Sequence, residues 1–252
     1  MLERALQFFH RNFRAKKLGM PFFTSVAKIA MPNKIYINGK IQGLSYIKED
    51  TTSLIIFREL FLDDCYYFEK INSPVNTIID IGANIGFSTL ALHAKFPKAT
   101  IHSFEPNPNL KVHFIKNCPN KNINFYNKAV GAKNCKISLI EQKREQQIVS
   151  GLGVSIEDEK GGIDQINFEE FVNGIGVGID LVKMDCEGAE WEVLKLKCWN
   201  KVKILTMEYH LSPKENKTME KLKELLQLNF KIIKHKKLEE NSGILLCYHK
   251  SI

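Results

Sequence analysis

Asn76-Thr77-Ile78-Ile79-Asp80-Ile81-Gly82-Ala83-Asn84-Ile85-Gly86 is the stretch on which the fold turns. A β-branched run ends in an acidic residue and two spaced glycines, and a helical pattern follows at once from Phe87 to Lys95. That order reads as strand, tight turn and helix. Such a turn lies at the carboxyl edge of a parallel sheet, where doubly wound folds take their ligands. Glycine at 82 and 86 leaves room for backbone to approach a bound molecule. The dinucleotide fingerprint GxGxxG is absent, because Asn84 stands at its second glycine and Phe87 follows the last one; no Walker A lysine follows either.

Outward from this turn, apolar runs alternate with helical patterns. NTIIDI, TIHSFE, INFYNKAV, DLVKMD, KILTMEYH, FKIIKH and GILLCYH read as strands of a mostly parallel sheet covered on both faces. The predicted fold class is α/β: a doubly wound Rossmann-like seven-stranded sheet in residues 75–252, preceded by a small N-terminal lobe in residues 1–74. The last two runs are joined by KKLEENS, too short for a crossover helix, and so pair as an antiparallel hairpin. A second helix is expected from Asn107, with Pro108 in its first turn. A third follows a capping box at Ser212-Pro213-Lys214-Glu215, with Met219, Leu222, Leu225 and Leu226 as its apolar face. Residues 131–179 interrupt the alternation, as a short hairpin, a polar loop and a small helix at NFEEFV. In the lobe, KIYINGK reads as a strand and turn, and LIIFRELFLDDCYYFEK as a helix.

Charge narrows the ligand. Asp80 at the strand end repels a pyrophosphate and suits a molecule carrying an ammonium and a sulfonium, which describes S-adenosylmethionine. Glu105 ends the second strand nineteen positions after Gly86, where a carboxylate accepts ribose hydroxyls. Ala83 and Asn84 in the loop, and Pro106 beside Glu105, extend the expected cofactor surface. Asn127 and Ala129, after the third strand, fall where the adenine edge is expected.

The segments DIGANIGFSTL, FEPNP and DLVKMDCEGAEWEVL, with FREL before the core and NKAVG after the third strand, resemble the FkbM family of S-adenosylmethionine-dependent methyltransferases. The likeness covers roughly residues 55–210. It implies a sheet of the class I methyltransferase type, Asp80 to Gly86 as the cofactor loop and Glu105 as the ribose ligand. It also implies that Asp185, Glu187, Gly188 and Glu190 lie beside the reaction centre. Cys186 takes a position that is more often aliphatic in the family. The resemblance implies methylation of hydroxyl groups on sugars or related secondary metabolites, with no required metal.

Methyl transfer from a sulfonium is an in-line displacement in which positive charge disperses, so holding the reactants collinear in a dry site does most of the work. A hydroxyl nucleophile gains further from a general base. Asp185, Glu187, Glu208 and His210 sit at the carboxyl ends of the fourth and fifth strands; His210 is favoured because it titrates near neutral pH. Asp185 contacts the cofactor or orients the acceptor, and Glu187 either acts in the chemistry or caps the following helix. Trp191 and Trp199 fit core packing better than sugar stacking.

The chain has 252 residues and a formal net charge of +8, enough for one sizeable core and a modest preference for acidic neighbours. Cys65, Cys118, Cys135, Cys186, Cys198 and Cys247 show neither CxxC nor metal-ligand spacing, so no metal site is expected and reduced thiols in a cytoplasmic protein are. The expected partner is a small-molecule or glycan acceptor. Nucleic acid is disfavoured: the fourth strand ends in MDCEG, without the Asn-Pro-Pro-aromatic turn or Pro-Cys nucleophile of base methyltransferases, although RNA ribose methylation stays open. A non-catalytic binding module is the other alternative. At the start, Leu2, Ala5, Leu6, Phe9 and Phe13 recur at helical spacing with Arg4, Arg11 and Arg14 on the polar side. This helix either packs its apolar face on the domain or makes peripheral membrane contact.

Overall fold

A computed structural model describes residues 2–23, 29–48, 51–144, 147–158 and 160–252. In chain order the elements are α1 (Leu2–Lys17), β1 (Lys34–Ile37), β2 (Lys40–Gly43), α2 (Thr51–Phe57), β3 (Thr77–Ile81), α3 (Phe87–Lys95), β4 (Thr100–Phe104), α4 (Lys111–Asn117) and β5 (Ile123–Tyr126). The interrupting region follows with β6 (Ala129–Gly131), β7 (Cys135–Arg144), β8 (Gln147–Glu157), β9 (Ile163–Asn167) and α5 (Phe168–Ile175). The chain then runs through β10 (Ile179–Met184), α6 (Glu190–Leu194), β11 (Val202–His210), α7 (Met219–Gln227), β12 (Phe230–Lys237) and β13 (Ser242–His249).

Seven strands form one sheet in the order β12-β13-β11-β10-β3-β4-β5. Neighbours from β11 across to β5 are parallel, whereas β13 runs antiparallel to both β11 and β12. This is the predicted seven-stranded doubly wound sheet, including its terminal hairpin. Period-two alternation divides the side chains between two cores. Ile78, Leu181, Ile204 and Leu246 enter the core shared with α3 and the first 74 residues; Ile79, Val182, Leu205 and Leu245 enter the one that contains residues of α5, α6 and α7. Every position of β10 is buried, as expected of a central parallel strand covered on both faces.

One polar row crosses the first of these faces. Ser103, Asp80, Lys183 and Thr206 stand in register on β4, β3, β10 and β11, all buried.

Four local expectations need correcting. The helix read over LIIFRELFLDDCYYFEK gives way after α2 to a π-helical turn at Arg58–Leu62 and then to irregular chain in which Asp64 and Tyr67 have positive φ. Asp64 drives this break, since its carboxylate accepts the backbone N–H of Glu69 and pairs with Arg14. Ser212 does not cap α7; Thr218 does, its hydroxyl accepting from the Lys221 N–H, while Pro213–Glu215 forms a separate 3-10 turn. The short hairpin expected after residue 131 is a pair of strands of ten and eleven residues, and with β6 and β9 it makes a second, four-stranded sheet.

The fourth correction concerns α1. Its buried side is Asn12 and Ala15. The Asn12 amide exchanges hydrogen bonds with both backbone groups of Phe23, and Arg11 and Arg14 pair with Asp63 and Asp64. Leu6, Phe9 and Phe13 point to solvent instead. The side chains of Leu2 and Arg4 lie outside the described residues.

Candidate active site

A cleft of about 1640 Å³ opens at the carboxyl edge of the sheet, over the ends of β3, β4, β10 and β11. That exceeds the ~300–1,000 Å³ of a typical small-ligand site and leaves room for two molecules side by side. Gly82, Ala83, Asn84, Glu105, Pro106, Ala129, Asp185, Glu187 and His210 all line it. Asp80, Gly86 and Asn127 do not.

The loop after β3 is held from both sides. The N–H groups of Gly82 and Ala83 donate to the Phe104 carbonyl, and the Asp185 N–H donates to Ile81. Gly82 has φ +76°, and a Cβ placed there would lie 1.8 Å from the Asp185 carbonyl oxygen. The close approach that demands glycine is thus to the neighbouring strand end rather than to a ligand. Gly86, at φ +92°, packs against Phe114 and Cys118. Asn84 also has positive φ, a conformation asparagine tolerates better than most side chains, which explains how it replaces a glycine.

Asp80 faces away from the cleft. It is fully buried, one carboxylate oxygen accepting from Ser88 and Thr89 at 2.7 and 2.6 Å and the other lying 3.5 Å from the Lys183 ammonium. It meets the cleft lining through Lys183 and Ser88. Glu105 does line the cleft, and its two oxygens accept from the backbone N–H groups of Asn84 and Asn107 at 2.8 Å each. Burial raises this carboxyl to about 7 against the pull of those two hydrogen bonds. Asn127 acts behind it, donating to the Glu105 carbonyl.

Two groups at the centre were not identified from sequence. Lys183 is buried, donates to the Gly82 carbonyl at 2.9 Å and sits 3.7 Å from Asp185. Burial alone would lower its proton affinity; Asp80, Asp185 and Glu208 outweigh that and raise it. Tyr66 arrives from the first 74 residues, its hydroxyl 2.9 Å from Asp185 and 3.1 Å from Glu208. One hydroxyl proton cannot serve both carboxylates. Burial, with Asp185 close by, raises Glu208 to about 8.

His210 ends β11 beside this chain. The fully buried Glu190 carboxylate accepts both its backbone N–H and its Nδ1–H, at 2.8 and 3.1 Å, and also the Gly188 N–H. Nε2 is left facing Glu187 and Glu208, each at 3.6 Å. Burial works against the imidazolium, but Glu190, Glu187 and Glu208 override it and lift His210 to about 9. The neutral-pH titration expected from the unperturbed imidazole is therefore displaced upward. Glu187 and Gly188 have positive φ, which turns Glu187 into the cleft. It is Glu190 that locks the turn. Burial and the adjoining Glu190 and Asp185 hold the Cys186 thiol well above the ordinary range. Trp191 and Trp199 are core residues, their indole N–H groups donating to the carbonyls of His210 and Val193.

A doubly wound sheet whose ligand cleft lies at the switch between β3 and β10, walled by carboxylates, is the architecture of the methyltransferase class anticipated above. Residues 80–232 match the family model of the methyltransferase FkbM domain, and the chain belongs to that family. It is 31% identical over 178 residues to methyltransferase sdnD of Sordaria araneosa, covering 56% of this chain and 67% of that protein. It is also 41% identical over 54 residues to 31-O-demethyl-FK506 methyltransferase FkbM of Streptomyces tacrolimicus, a stretch that spans only 21% of either chain. Among solved structures, the fibrillarin pre-rRNA processing protein of Methanococcus jannaschii aligns over 88% of this chain and 96% of its own at 13% identity, with a TM-score of 0.48.

Proposed function

We propose that this protein is an S-adenosylmethionine-dependent O-methyltransferase whose acceptor is a hydroxyl of a sugar, a glycan or a related metabolite. The observation that carries the reading is the charge of the cleft. Among the described residues, Glu59, Glu105, Asp185, Glu187, Glu208 and Glu239 line it against Lys128, Lys183 and the imidazolium of His210, although the chain as a whole is basic. A cationic donor is attracted by such a wall, and a polyphosphate backbone is repelled. The same argument supports a small acceptor over RNA.

The donor supplies an electrophilic methyl group on a sulfonium. Glu105, with lone pairs left after its two backbone contacts, is suited to ribose hydroxyls, and the Gly82–Asn84 loop to the adjoining surface. His210 holds its Nδ1 proton on Glu190, so Nε2 is the atom that takes a proton from an acceptor hydroxyl once it has shed its own. Glu187 and Glu208 steady the imidazolium so formed. Calorimetry with the donor, followed by labelled methyl transfer onto a panel of sugars, glycans and RNA, tests the proposal. Failure to bind S-adenosylmethionine overturns it, and transfer to RNA alone overturns the acceptor class.

A further inference from the structure

The basic charge of this protein is confined to one region. Residues 1–48 contain nine Lys and Arg against a single Glu, a net +8 that equals the charge of the whole chain. Residues 49–252 carry 27 of each sign. The same region displays six of the exposed large apolar side chains among the described residues: Leu6, Phe9, Phe13, Phe22, Tyr36 and Ile41. Leu6, Phe9 and Phe13 on α1 are 51%, 65% and 59% exposed, and Phe22 just beyond it is 69% exposed.

Local contacts tie parts of this face together. Phe8 touches Phe9 and Phe22 edge to face, and the Lys17 ammonium lies over the Phe13 ring. Past the helix, the Tyr36 ring packs against Gly19. Tyr36 pairs across the β1–β2 hairpin with Ile41, and both are exposed. The orientation of α1 is fixed by polar contacts on its other side. Asn12 is clasped by Phe23, while Arg11 and Arg14 are held by Asp63 and Asp64. An isolated amphipathic helix would bury its phenylalanines on the domain; here buried polar bonds hold them outward.

We infer that α1 and the β1–β2 hairpin form a docking surface for an anionic lipid bilayer. Aromatic and aliphatic side chains at the level of the lipid headgroups, flanked by lysines whose stems run along them, describe how interfacial helices bind. Lys16, Lys17, Lys34 and Lys40 are exposed around the apolar residues, and none of the four takes part in the ion pairs that hold the helix. Attraction to acidic headgroups adds to apolar insertion. Aliphatic Leu6 and Ile41 have no role in a base-stacking platform, which favours lipid over nucleic acid. The surface is independent of the cleft chemistry, so its test stands apart from that of the methyl transfer.

The full chain is sedimented with phosphatidylcholine vesicles and with vesicles containing phosphatidylglycerol. Binding is expected to the anionic vesicles, weaker in high salt. Lys16→Glu with Lys17→Glu is expected to lower that binding by on the order of tenfold. Phe9→Glu with Phe13→Glu is expected to abolish it while the circular dichroism stays that of the parent, since both rings are in solvent. Three results overturn the inference: a parent protein that stays in the supernatant with both vesicle types, a phenylalanine variant that pellets like the parent, or an apolar face that proves to be buried in a dimer by sedimentation velocity.

Discussion

On the β3–β4 side of the cleft, the wall is held by main chain: Gly82, Ala83 and Asn84 donate to Phe104 and Glu105, and the glycine sits against the backbone of the next strand. On the β10–β11 side, the wall is made of ionisable side chains that share protons, with Lys183, Asp185, Tyr66, Glu208 and His210 linked in that order. The first arrangement has one geometry and no dependence on pH beyond Glu105. The second redistributes charge with every proton gained or lost. A site built this way separates rigid placement of one reactant from the proton traffic required by the other.

The largest effect expected from breaking this division is that of Gly82→Ala. A methyl group at 1.8 Å from the Asp185 carbonyl, at a left-handed φ, must push the two walls apart; a loss of at least ~3 kcal/mol is expected in denaturant titration. Asp80→Ala comes next. It leaves the buried Lys183 ammonium without its in-register partner, and removing one member of a buried pair costs roughly 3–5 kcal/mol. A variant as stable as the parent would show that Asp185 alone neutralises the lysine.

Glu105→Gln is expected to be milder for the fold, about 1–2 kcal/mol, because one of two backbone contacts is retained. Donor affinity by calorimetry should fall by about tenfold or more, as loss of a charged hydrogen-bond acceptor requires. The opposite wall is sharpened by pH. His210 is raised to about 9, and Glu208 and Glu105 to about 8 and 7. Each binds its proton more tightly folded than unfolded, so their stabilising contribution is complete below the unfolded values and lost as pH rises through the folded ones. The melting temperature should therefore decline from pH 5 toward 9, and Glu208→Gln should flatten the decline. In catalysis, turnover should rise with pH toward 9 as Nε2 of His210 is freed, and His210→Gln should remove that rise with donor affinity unchanged.

The cleft loop was legible because it is local. A strand, a turn and a carboxylate nineteen positions on are fixed by chain geometry alone, and Glu105, Gly82 and Asn84 stand where spacing puts them. The direction of Asp80 was not, since it depends on which face of β3 meets α3. Lys183 lay inside a run otherwise read as apolar; a lone lysine at the centre of a buried strand needs a partner, and that need was the available signal. Tyr66 had none, being 119 residues from Asp185 in sequence. The outward turn of Phe9 and Phe13 was equally hidden, because it is imposed by Asp63 and Asp64, more than forty residues away.

The antiparallel β13 has a consequence for how the chain matures. β12 pairs with β13 alone, and β11 has β13 on its outer side, yet β13 is the last of the seven strands to leave the ribosome. Until it does, β12 has no place in the sheet and β11 offers an open, largely apolar edge, the kind of surface that recruits other nascent chains. Insertion of that single strand completes two pairings at once.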